Sequence, residues 1–335
     1  MEELYTLLRI HYYGVGIISL AYLLALEAKE PHSDAIWGIH FSPSSHIISV
    51  SASGQVHAYD STSGQLSASA PPHTLGVTSL SVGAGGKKVL YNTIEGLTAL
   101  WDVESGEVQG RWESYRRKGE SEPAWSVSLN PTGATYAATG GGGNAIIHSA
   151  DPSSFGEPQA KLSSGRTKFG MFCKHSPDGS RLALSSETGQ IYVFDLASTQ
   201  LTATYTSHAM AVRSLAWSPD SQLLLSASED KRMILHDVRG AGGAVASLTG
   251  HTSWVLANDI SPDGRLAVSG LTNSLARSAD RTAKLWDLSA RTCVSTIQDP
   301  CAGEVWGVSW AKHGMNAFVA GGEDGVARVF RAGGA

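Results

Sequence analysis

The repeats in this chain predict an all-β fold, a seven-bladed β-propeller. Similar segments end in an aromatic residue or histidine followed by aspartate: Tyr59-Asp60, Trp101-Asp102, Phe194-Asp195, His236-Asp237 and Trp286-Asp287. Asp60 and Asp102 are 42 residues apart, and Asp195 and Asp237 have the same separation. Repeats of about 40–45 residues that end in this way are typical of propeller blades, which are four-stranded sheets. The period therefore predicts the fold before any single site is considered.

The first and last recognisable residues of each repeat give the expected positions of the seven blades along the chain. The expected blades run between these landmarks: His32 to Asp60, His73 to Asp102, Trp125 to Ser149, His175 to Asp195, His208 to Asp237, His251 to Asp287 and Val305 to Arg331. Ser-Pro-Asp-Gly at 176–179 and at 261–264 predicts a hairpin turn, because Pro fixes φ at the second position and Gly accepts a positive φ. The apolar runs after these turns are expected to be second strands, buried between neighbouring blades.

The last blade lacks a strand, because only 331–335 follow its third strand. An open edge would expose unpaired backbone groups. The segment 22–30 before His32 resembles the fourth strand at 201–206, which precedes His208. We therefore expect the N-terminal strand to complete the last blade and close the ring.

The leader at 1–20 is left without a structural task, so the predicted single propeller covers 21–335. This leader is either a gene-model artefact or a disordered segment. The apolar run at 14–26 is too short to span a bilayer, and we expect neither secretion nor membrane attachment. Three cysteines, an odd number without metal-type spacing, favour a reducing compartment over a disulfide framework.

The charge and motif content of the chain argues against several classes of site. The net charge of −5 disfavours direct nucleic-acid binding, and the basic cluster at 116–118 is flanked by Glu113 and Glu120. The four glycines at 140–143 have no Lys-Ser/Thr after them, so a turn is expected there rather than a phosphate loop. No histidine pair has metal-type spacing, and no carboxylate pair suggests acid–base chemistry. We expect a protein that is not an enzyme and has no metal or cofactor.

The sixth repeat carries an insertion. Asp237 and Asp287 are 50 residues apart, which exceeds the 42-residue period by eight. The excess is assigned to 271–278, by comparison with 226–230 in the fifth repeat. A turn between strands accommodates added length at little entropic cost. The insertion is either a partner-specific loop or an artefact such as retained intron sequence, and we favour the artefact.

A set of polar residues recurs within the blades. Its members are His251, Asp280, Trp286 and either Ser269 or Ser278, with partial versions in His73 and Trp101 and in His208 and Asp230. Histidine, aspartate and serine together suggest a hydrolytic triad. A catalytic triad is needed once, however, whereas these residues recur at the blade spacing. We therefore interpret them as hydrogen-bonded structural tetrads that tie the strands of a blade together.

Equivalent positions in the first strands should form a ring at one rim of the central channel. Counting back from the Ser-Pro turns and their equivalents gives six residues: Trp37, Trp125, Met171, Arg213, Leu256 and Trp306. Tryptophan and arginine are the side chains most enriched at binding hot spots. The indoles either bind a partner or pack over neighbouring strands, and we predict a partner-binding rim.

Five segments carry a more particular signal: His32-Ser-Asp-Ala-Ile-Trp, Gly250-His-Thr-Ser-Trp-Val-Leu, the run from His208 to Leu224, Arg291-Thr-Cys-Val and Glu304-Val-Trp-Gly-Val. Together they resemble the WD-repeat subunit of the Ski (superkiller) complex. The resemblance covers about 30–331 and is strongest from 205 to 310. The leader and the insertion depart from the pattern of that family.

This resemblance implies a non-catalytic subunit. In that family the subunit joins a tetratricopeptide-repeat scaffold and an RNA helicase that feed mRNA to the cytoplasmic exosome for 3′-to-5′ decay. Relatives also act in the nucleus, in a transcription-elongation assembly and in meiotic double-strand-break formation. The resemblance thus implies a cytoplasmic protein with nuclear relatives.

Two other classes compete with this interpretation. A ubiquitin-ligase substrate receptor or a G-protein β-like subunit is a binding module too, but the latter needs an N-terminal coiled coil, and 1–30 lack heptads with charged flanks. A propeller hydrolase or lyase needs a single polar cluster at the channel mouth, where the predicted residues are chiefly aromatic or aliphatic.

Overall fold

The computed structural model describes residues 21–114, 124–240, 243–271, 281–312 and 316–333. Within these ranges the chain forms strands and no α-helix. The strands pair as seven four-stranded sheets. The predicted all-β, seven-bladed propeller is therefore confirmed.

The strands of each blade follow one another in the sequence, from the channel outwards. Blade one contains β2 (Ile36–Phe41), β3 (His46–Ser51), β4 (Val56–Asp60) and β5 (Leu66–Ser69), and blade two contains β6 (Val77–Val82), β7 (Lys88–Thr93), β8 (Leu97–Asp102) and β9 (Val108–Glu113). Blade three contains β10 (Ala124–Leu129), β11 (Thr135–Gly140), β12 (Asn144–Ser149) and β13 (Pro158–Ser163), and blade four contains β14 (Gly170–His175), β15 (Arg181–Ser186), β16 (Ile191–Asp195) and β17 (Leu201–Tyr205).

The remaining blades have the same order. Blade five contains β18 (Val212–Trp217), β19 (Leu223–Ser228), β20 (Met233–Asp237) and β21 (Ala244–Leu248), and blade six contains β22 (Val255–Ile260), β23 (Leu266–Leu271), β24 (Thr282–Asp287) and β25 (Thr292–Gln298). Blade seven contains β26 (Val305–Trp310), β27 (Ala317–Gly322), β28 (Arg328–Ala332) and, from the other end of the chain, β1 (Tyr22–Glu27). The first strand of each blade is called its inner strand below.

The inner strands form a closed ring. Each one contacts the inner strand of the next blade, and β26 contacts β2. Side chains on one inner strand also accept hydrogen bonds from the backbone of the next. The acceptor and donor pairs include Ser79 with Val127 N at 3.0 Å, Ser81 with Leu129 N at 2.9 Å, Ser128 with His175 N at 3.0 Å, Asp259 with Trp310 N at 2.8 Å and Ser309 with Phe41 N at 3.1 Å. These bonds satisfy amide groups that have no partner strand on the channel side.

The N-terminal strand completes the last blade, as the sequence predicts. β1 pairs antiparallel with β28, so that Tyr22 lies opposite Ala332 and Glu27 opposite Arg328. The Arg328 guanidinium donates from Nε to Glu27 Oε1 at 2.6 Å. The leader at 1–20 lies outside the described residues, and the prediction about it stays a prediction.

The second strands hold the core between blades. In β19, Leu224 and Leu225 have no solvent exposure. Leu225 belongs to a buried cluster with Val255 and Ile260 of the next blade. The outer strand β17 is mostly exposed instead, and Tyr205 is its one buried residue. The prediction that the second strands are buried between neighbouring blades is confirmed at β19.

The Ser-Pro-Asp-Gly segments form the predicted turns. The Gly179 amide donates to the Ser176 carbonyl at 2.9 Å, and the Gly264 amide donates in the same way to the Ser261 carbonyl. Gly179 and Gly264 have φ of 72° and 71°, the left-handed region in which a glycine avoids steric strain. These turns end the inner strands of blades four and six at the face opposite the predicted rim.

The insertion in blade six begins later than the sequence comparison placed it. Leu271, assigned there to the inserted segment, is the last residue of β23, pairs with Val255 and is fully buried. It occupies the position that Ser228 has opposite Val212 in blade five. An apolar side chain suits this buried position, which is why the strand continues through it. The rest of the predicted insertion lies outside the described residues.

Candidate partner-binding rim

A β-bulge recurs at the start of every inner strand. In each blade the second residue of that strand is skipped in the pairing with the second strand. The seven skipped residues are Trp37, Thr78, Trp125, Met171, Arg213, Leu256 and Trp306. A bulge leaves its extra residue unpaired and redirects the side chain. These seven residues are called the rim ring below.

All seven rim-ring side chains line one cavity of about 480 Å³ at the end of the central channel. The structure thus brings together the six residues that the sequence predicts, and it adds Thr78. The sequence comparison missed Thr78 because blade two has no Ser-Pro turn from which to count and, unlike blades three and seven, no tryptophan at this position; Val82 is followed by glycine. Aligning Val77 with the first residues of the other inner strands gives the same position.

Two indoles of the rim ring lie together where blades one and seven meet. The ring centroids of Trp37 and Trp306 are 6.4 Å apart, with the planes tilted by 37°. A Cβ on Gly76 would approach the Trp37 ring to 2.8 Å, so a glycine is required beside it. The third indole, Trp125, is 37% exposed and lies edge-on to Phe169 at 5.8 Å.

Two polar groups of the rim ring donate hydrogen bonds to neighbouring carboxylates. Arg213 donates from Nε to Glu229 Oε1 at 2.6 Å. The Trp306 indole N–H donates to Glu304 Oε2 at 2.8 Å. Both contacts hold the rim side chains in place before a partner arrives, and this preorganisation lowers the entropic cost of binding. The Arg213 Nη2 group also contacts Glu229, so a contact of Arg213 with a partner would use Nη1.

The face around the rim ring exposes further apolar side chains. Leu75 is 47% exposed, Ile94 is 46% exposed and Met210 is 42% exposed. All three lie in connections at the rim end of blades two and five, next to the ends of β6, β7 and β18. With Trp125 they make up four of the eight large hydrophobic residues that are exposed in the described part of the chain. These apolar groups lie on the same face of the propeller as the rim ring.

The predicted structural tetrads lie inside the blades, away from this cavity. In blade six, His251 Nε2 is 3.0 Å from Ser269 Oγ, and the Trp286 indole N–H donates to the same oxygen at 2.9 Å. Ser269 therefore belongs to this network. Asp280 and Ser278 lie outside the described residues. Ser269 has no solvent exposure, so it cannot reach a substrate as the nucleophile of a triad.

The partial tetrads differ from each other. In blade five, His208 bonds to Asp230 through Nδ1 at 2.9 Å and to Ser226 Oγ through Nε2 at 2.8 Å. In blade two, His73 bonds to the Tyr91 hydroxyl at 3.0 Å and not to Trp101, a difference from the sequence prediction. Tyr91 occupies the position of Ser226 and Ser269, so blade two lacks the serine hydroxyl that accepts from the indole in blade six. The Trp101 N–H consequently has no hydrogen-bond partner among the described residues.

The described residues contain neither a metal-binding cluster nor a membrane-spanning helix. No cluster of three or more His, Cys, Asp or Glu side chains there is arranged to hold a metal ion. In the same ranges no helix has the length and apolar character needed to cross a membrane.

Comparison with known proteins adds a family and several relatives. The family model "WD domain, G-beta repeat" matches residues 26–60, 199–237, 242–287 and 291–331. Each match begins in the outer strand of one blade and covers the first three strands of the next, which are blades one, five, six and seven. The chain is 30% identical to the WD repeat-containing protein VIP3 of Arabidopsis thaliana over 74% of this chain and 79% of that protein. It is 27% identical to the meiotic recombination protein rec14 of Schizosaccharomyces pombe over 78% of this chain and 80% of that protein. It is also 27% identical to the WD repeat-containing protein SL1-17 of Schistosoma mansoni, over 66% and 72% of the two chains.

Proposed function

The chain belongs to the WD-repeat family, and we propose that it is a non-catalytic scaffold subunit of a Ski-type complex. In this role it binds a tetratricopeptide-repeat scaffold and an RNA helicase and supports cytoplasmic 3′-to-5′ mRNA decay by the exosome. It binds protein partners and binds neither RNA nor a membrane directly. The segment resemblance at 205–310 supports the choice of this assembly.

The observation that carries the proposal is the rim ring. Seven bulged residues from seven blades converge on one cavity, and three of them are tryptophans. Interfaces concentrate their binding energy in a few buried aromatic and arginine side chains. A short partner segment with an apolar anchor therefore fits the indoles of the rim ring, while Leu75, Ile94 and Met210 extend the contact around it.

The cysteines support a reducing compartment for this function. Cys173 and Cys301 are buried and Cys293 is exposed, and all three are free thiols. Burial raises the pKa of the Cys173 thiol to about 12, which keeps it protonated and unreactive. We place the protein in the cytoplasm, with a nuclear pool where a nuclear partner recruits it.

A second candidate function has its own support. The relative rec14 is named a meiotic recombination protein, and this chain covers most of its length. The same rim would then serve an adaptor in a recombination assembly, or in a transcription-elongation assembly or a ubiquitin ligase, with a different docking segment.

Affinity purification from the native organism, followed by mass spectrometry, distinguishes these functions. The full chain is tagged and compared with a Trp306→Ala variant of the same chain. Recovery of a tetratricopeptide-repeat protein and an RNA helicase with the natural chain, and their loss with the variant, is the expected result. Recovery of recombination, elongation or ubiquitin-ligase proteins in their place would overturn the Ski-type assignment.

A further inference from the structure

The central channel changes character below the rim ring. Three residues further along each inner strand lies a second ring, here called the waist: His40, Ser81, Ser128, Lys174, Ala216, Asp259 and Ser309. At about 3.3 Å per strand residue, the waist lies roughly 10 Å below the rim ring. His40, Lys174, Asp259 and Ser309 line the same cavity as the rim ring. The channel therefore has an aromatic mouth above a charged floor.

Asp259 is the single carboxylate of the waist, and both of its oxygens accept hydrogen bonds. Asp259 Oδ1 accepts from the Ile260 amide at 3.0 Å. Asp259 Oδ2 accepts from the Trp310 amide at 2.8 Å, from Ser309 Oγ at 3.1 Å and from Lys312 Nζ at 2.9 Å. The negative charge of Asp259 is thus paired with the ammonium of Lys312.

Lys174 is the unmatched charge of this site. Among the described residues its ammonium makes no hydrogen bond and no ion pair, although it lies in the channel and is half-buried. Burial lowers the pKa of the Lys174 ammonium; Asp259 raises it and Lys312 lowers it. A partly buried charge without a counter-ion is costly, so a lysine held in this position is a candidate for ligand binding.

His40 does not supply the missing negative charge. Its Nδ1 is 3.3 Å from Ser309 Oγ. Burial first, and then Lys312 and Lys174, hold the pKa of His40 well below its usual value, so the ring is neutral. Lys312 is not a waist residue, but its ammonium pairs with Asp259. The waist and Lys312 together therefore have two ammonium groups and one carboxylate, an excess of positive charge.

We propose that the channel binds an anionic group, a carboxylate or a phosphate, at the ammonium of Lys174. The group comes either from a free small molecule or from an acidic residue of the segment that docks on the rim; the second source rests on the proposed function. The cavity of about 480 Å³ falls in the usual size range of small-molecule sites. Ser309 and the neutral His40 line the same floor and offer polar contacts to the bound group.

Isothermal titration with citrate and with tripolyphosphate tests this site directly. The natural chain, Lys174→Met and Lys87→Met are compared at low ionic strength, with sodium chloride of equal ionic strength as the reference for screening. Lys87 is a matched control because it is an exposed lysine outside the channel, paired with Glu104. We expect saturable 1:1 binding to the natural chain, and binding weakened roughly tenfold or more in Lys174→Met, because a charge-assisted hydrogen bond is lost. Lys87→Met should bind as the natural chain does.

Absence of saturable binding to the natural chain, or equal binding by Lys174→Met, would overturn the proposal. Circular dichroism checks the fold of the variant, and Lys174→Gln replaces it if the methionine variant does not fold. A second arm distinguishes the two sources: the docking peptide of the partner is titrated with and without saturating tripolyphosphate. Competition assigns the anionic group to the peptide, and independent binding assigns it to a free ligand. If the peptide does not bind the rim, the proposed function fails while the anion titration still decides this site.

Discussion

The phenolic hydroxyl of Tyr22 donates a hydrogen bond of 2.6 Å to Oδ1 of Asn316, a residue 294 positions later in the chain. The Tyr22 ring is 5% exposed and lies edge-on to Trp310, with ring centroids 5.7 Å apart. The first described strand is therefore joined to the last blade by side-chain packing as well as by backbone pairing. The ring closes through these contacts and through no covalent bond.

Loss of the Tyr22 ring should weaken ring closure. We expect Tyr22→Ala to lower the free energy of unfolding by about 3 kcal/mol, the usual cost of removing a buried aromatic ring. Tyr22→Phe keeps the ring and loses only the bond to Asn316, so about 1 kcal/mol is expected. Urea unfolding monitored by tryptophan fluorescence measures both. Equal stability of Tyr22→Ala and the natural chain would contradict closure by this contact.

Deletion of the closing strand should have a larger effect. A chain that lacks residues 1–30 loses β1 and exposes the edge of β28, so aggregation is expected. A chain that lacks only residues 1–18 keeps β1 and should remain a folded monomer. Size-exclusion chromatography with light scattering compares the two. A monomeric, cooperatively folding chain without 1–30 would rule out closure by strand exchange.

The insertion in blade six should be dispensable beyond Leu271. Deleting Thr272 to Ser278 brings Leu271 next to Ala279, which reproduces the spacing of 226–230 in blade five. Thermal stability should be kept or slightly raised, because a shorter turn loses less entropy on folding. Extending the deletion to Leu271 should cost about 3 kcal/mol, since a buried leucine is removed. A drop of many degrees after the shorter deletion would show that the segment is packed structure.

The rim tryptophans should be binding hot spots. We expect Trp125→Ala or Trp306→Ala to cost about 2 kcal/mol or more in affinity for the tetratricopeptide-repeat partner, roughly 30-fold in Kd. The fold should survive, because the core lies between the second strands. The matched control is Leu201→Ala, since Leu201 is 39% exposed on an outer strand and Trp125 is 37% exposed at the rim. Unchanged affinity in both tryptophan variants would move the binding site to another face.

Acid should destabilise the propeller through its buried histidines. Burial lowers the pKa of His32, His175 and His236 to about 3 each, with smaller contributions from His57, Lys174 and His208 respectively. The unfolded chain takes up protons near pH 6.5 while the folded chain does not, so stability falls as the pH is lowered from about 6.5 towards 3. Each histidine contributes up to about 1.4 kcal/mol per pH unit in this window.

Urea unfolding at pH 7, 6 and 5 measures this dependence. His236→Phe is the informative variant, because it keeps a ring against Tyr205 and cannot take up a proton. Its stability should fall less steeply with decreasing pH than that of the natural chain. Identical slopes for the two chains would show that His236 is protonated in the folded state.

The sequence predicts the fold well because a propeller repeats its local signals. The 42-residue period, the Ser-Pro-Asp-Gly turns and the spare strand at 22–27 each correspond to one feature of the ring. Six of the seven rim-ring residues follow from counting along the repeats, whereas Thr78 does not, because neither a Ser-Pro turn nor a tryptophan marks its position. His73 bonds to Tyr91 and not to Trp101, because blade two has a tyrosine where blades five and six have a serine.

The waist shows why part of a site escapes a comparison of repeats. Lys174 and Asp259 occupy the position that is serine in three other blades, so they depart from the repeat rather than follow it. Their significance depends on which charges meet across the channel. That neighbourhood is created by closing the ring and is not contained in the spacing of any single repeat.

The recurring bulge has a consequence for how such a protein acquires new partners. A skipped residue contributes its side chain to the channel mouth without a cross-strand neighbour to satisfy, so its chemical identity is nearly independent of blade stability. The residues at these seven positions can therefore be substituted one at a time while the scaffold stays folded. A library randomised at these positions alone should yield folded variants with diverse specificities, and lineages that inherit this scaffold can exchange one docking peptide for another by few substitutions.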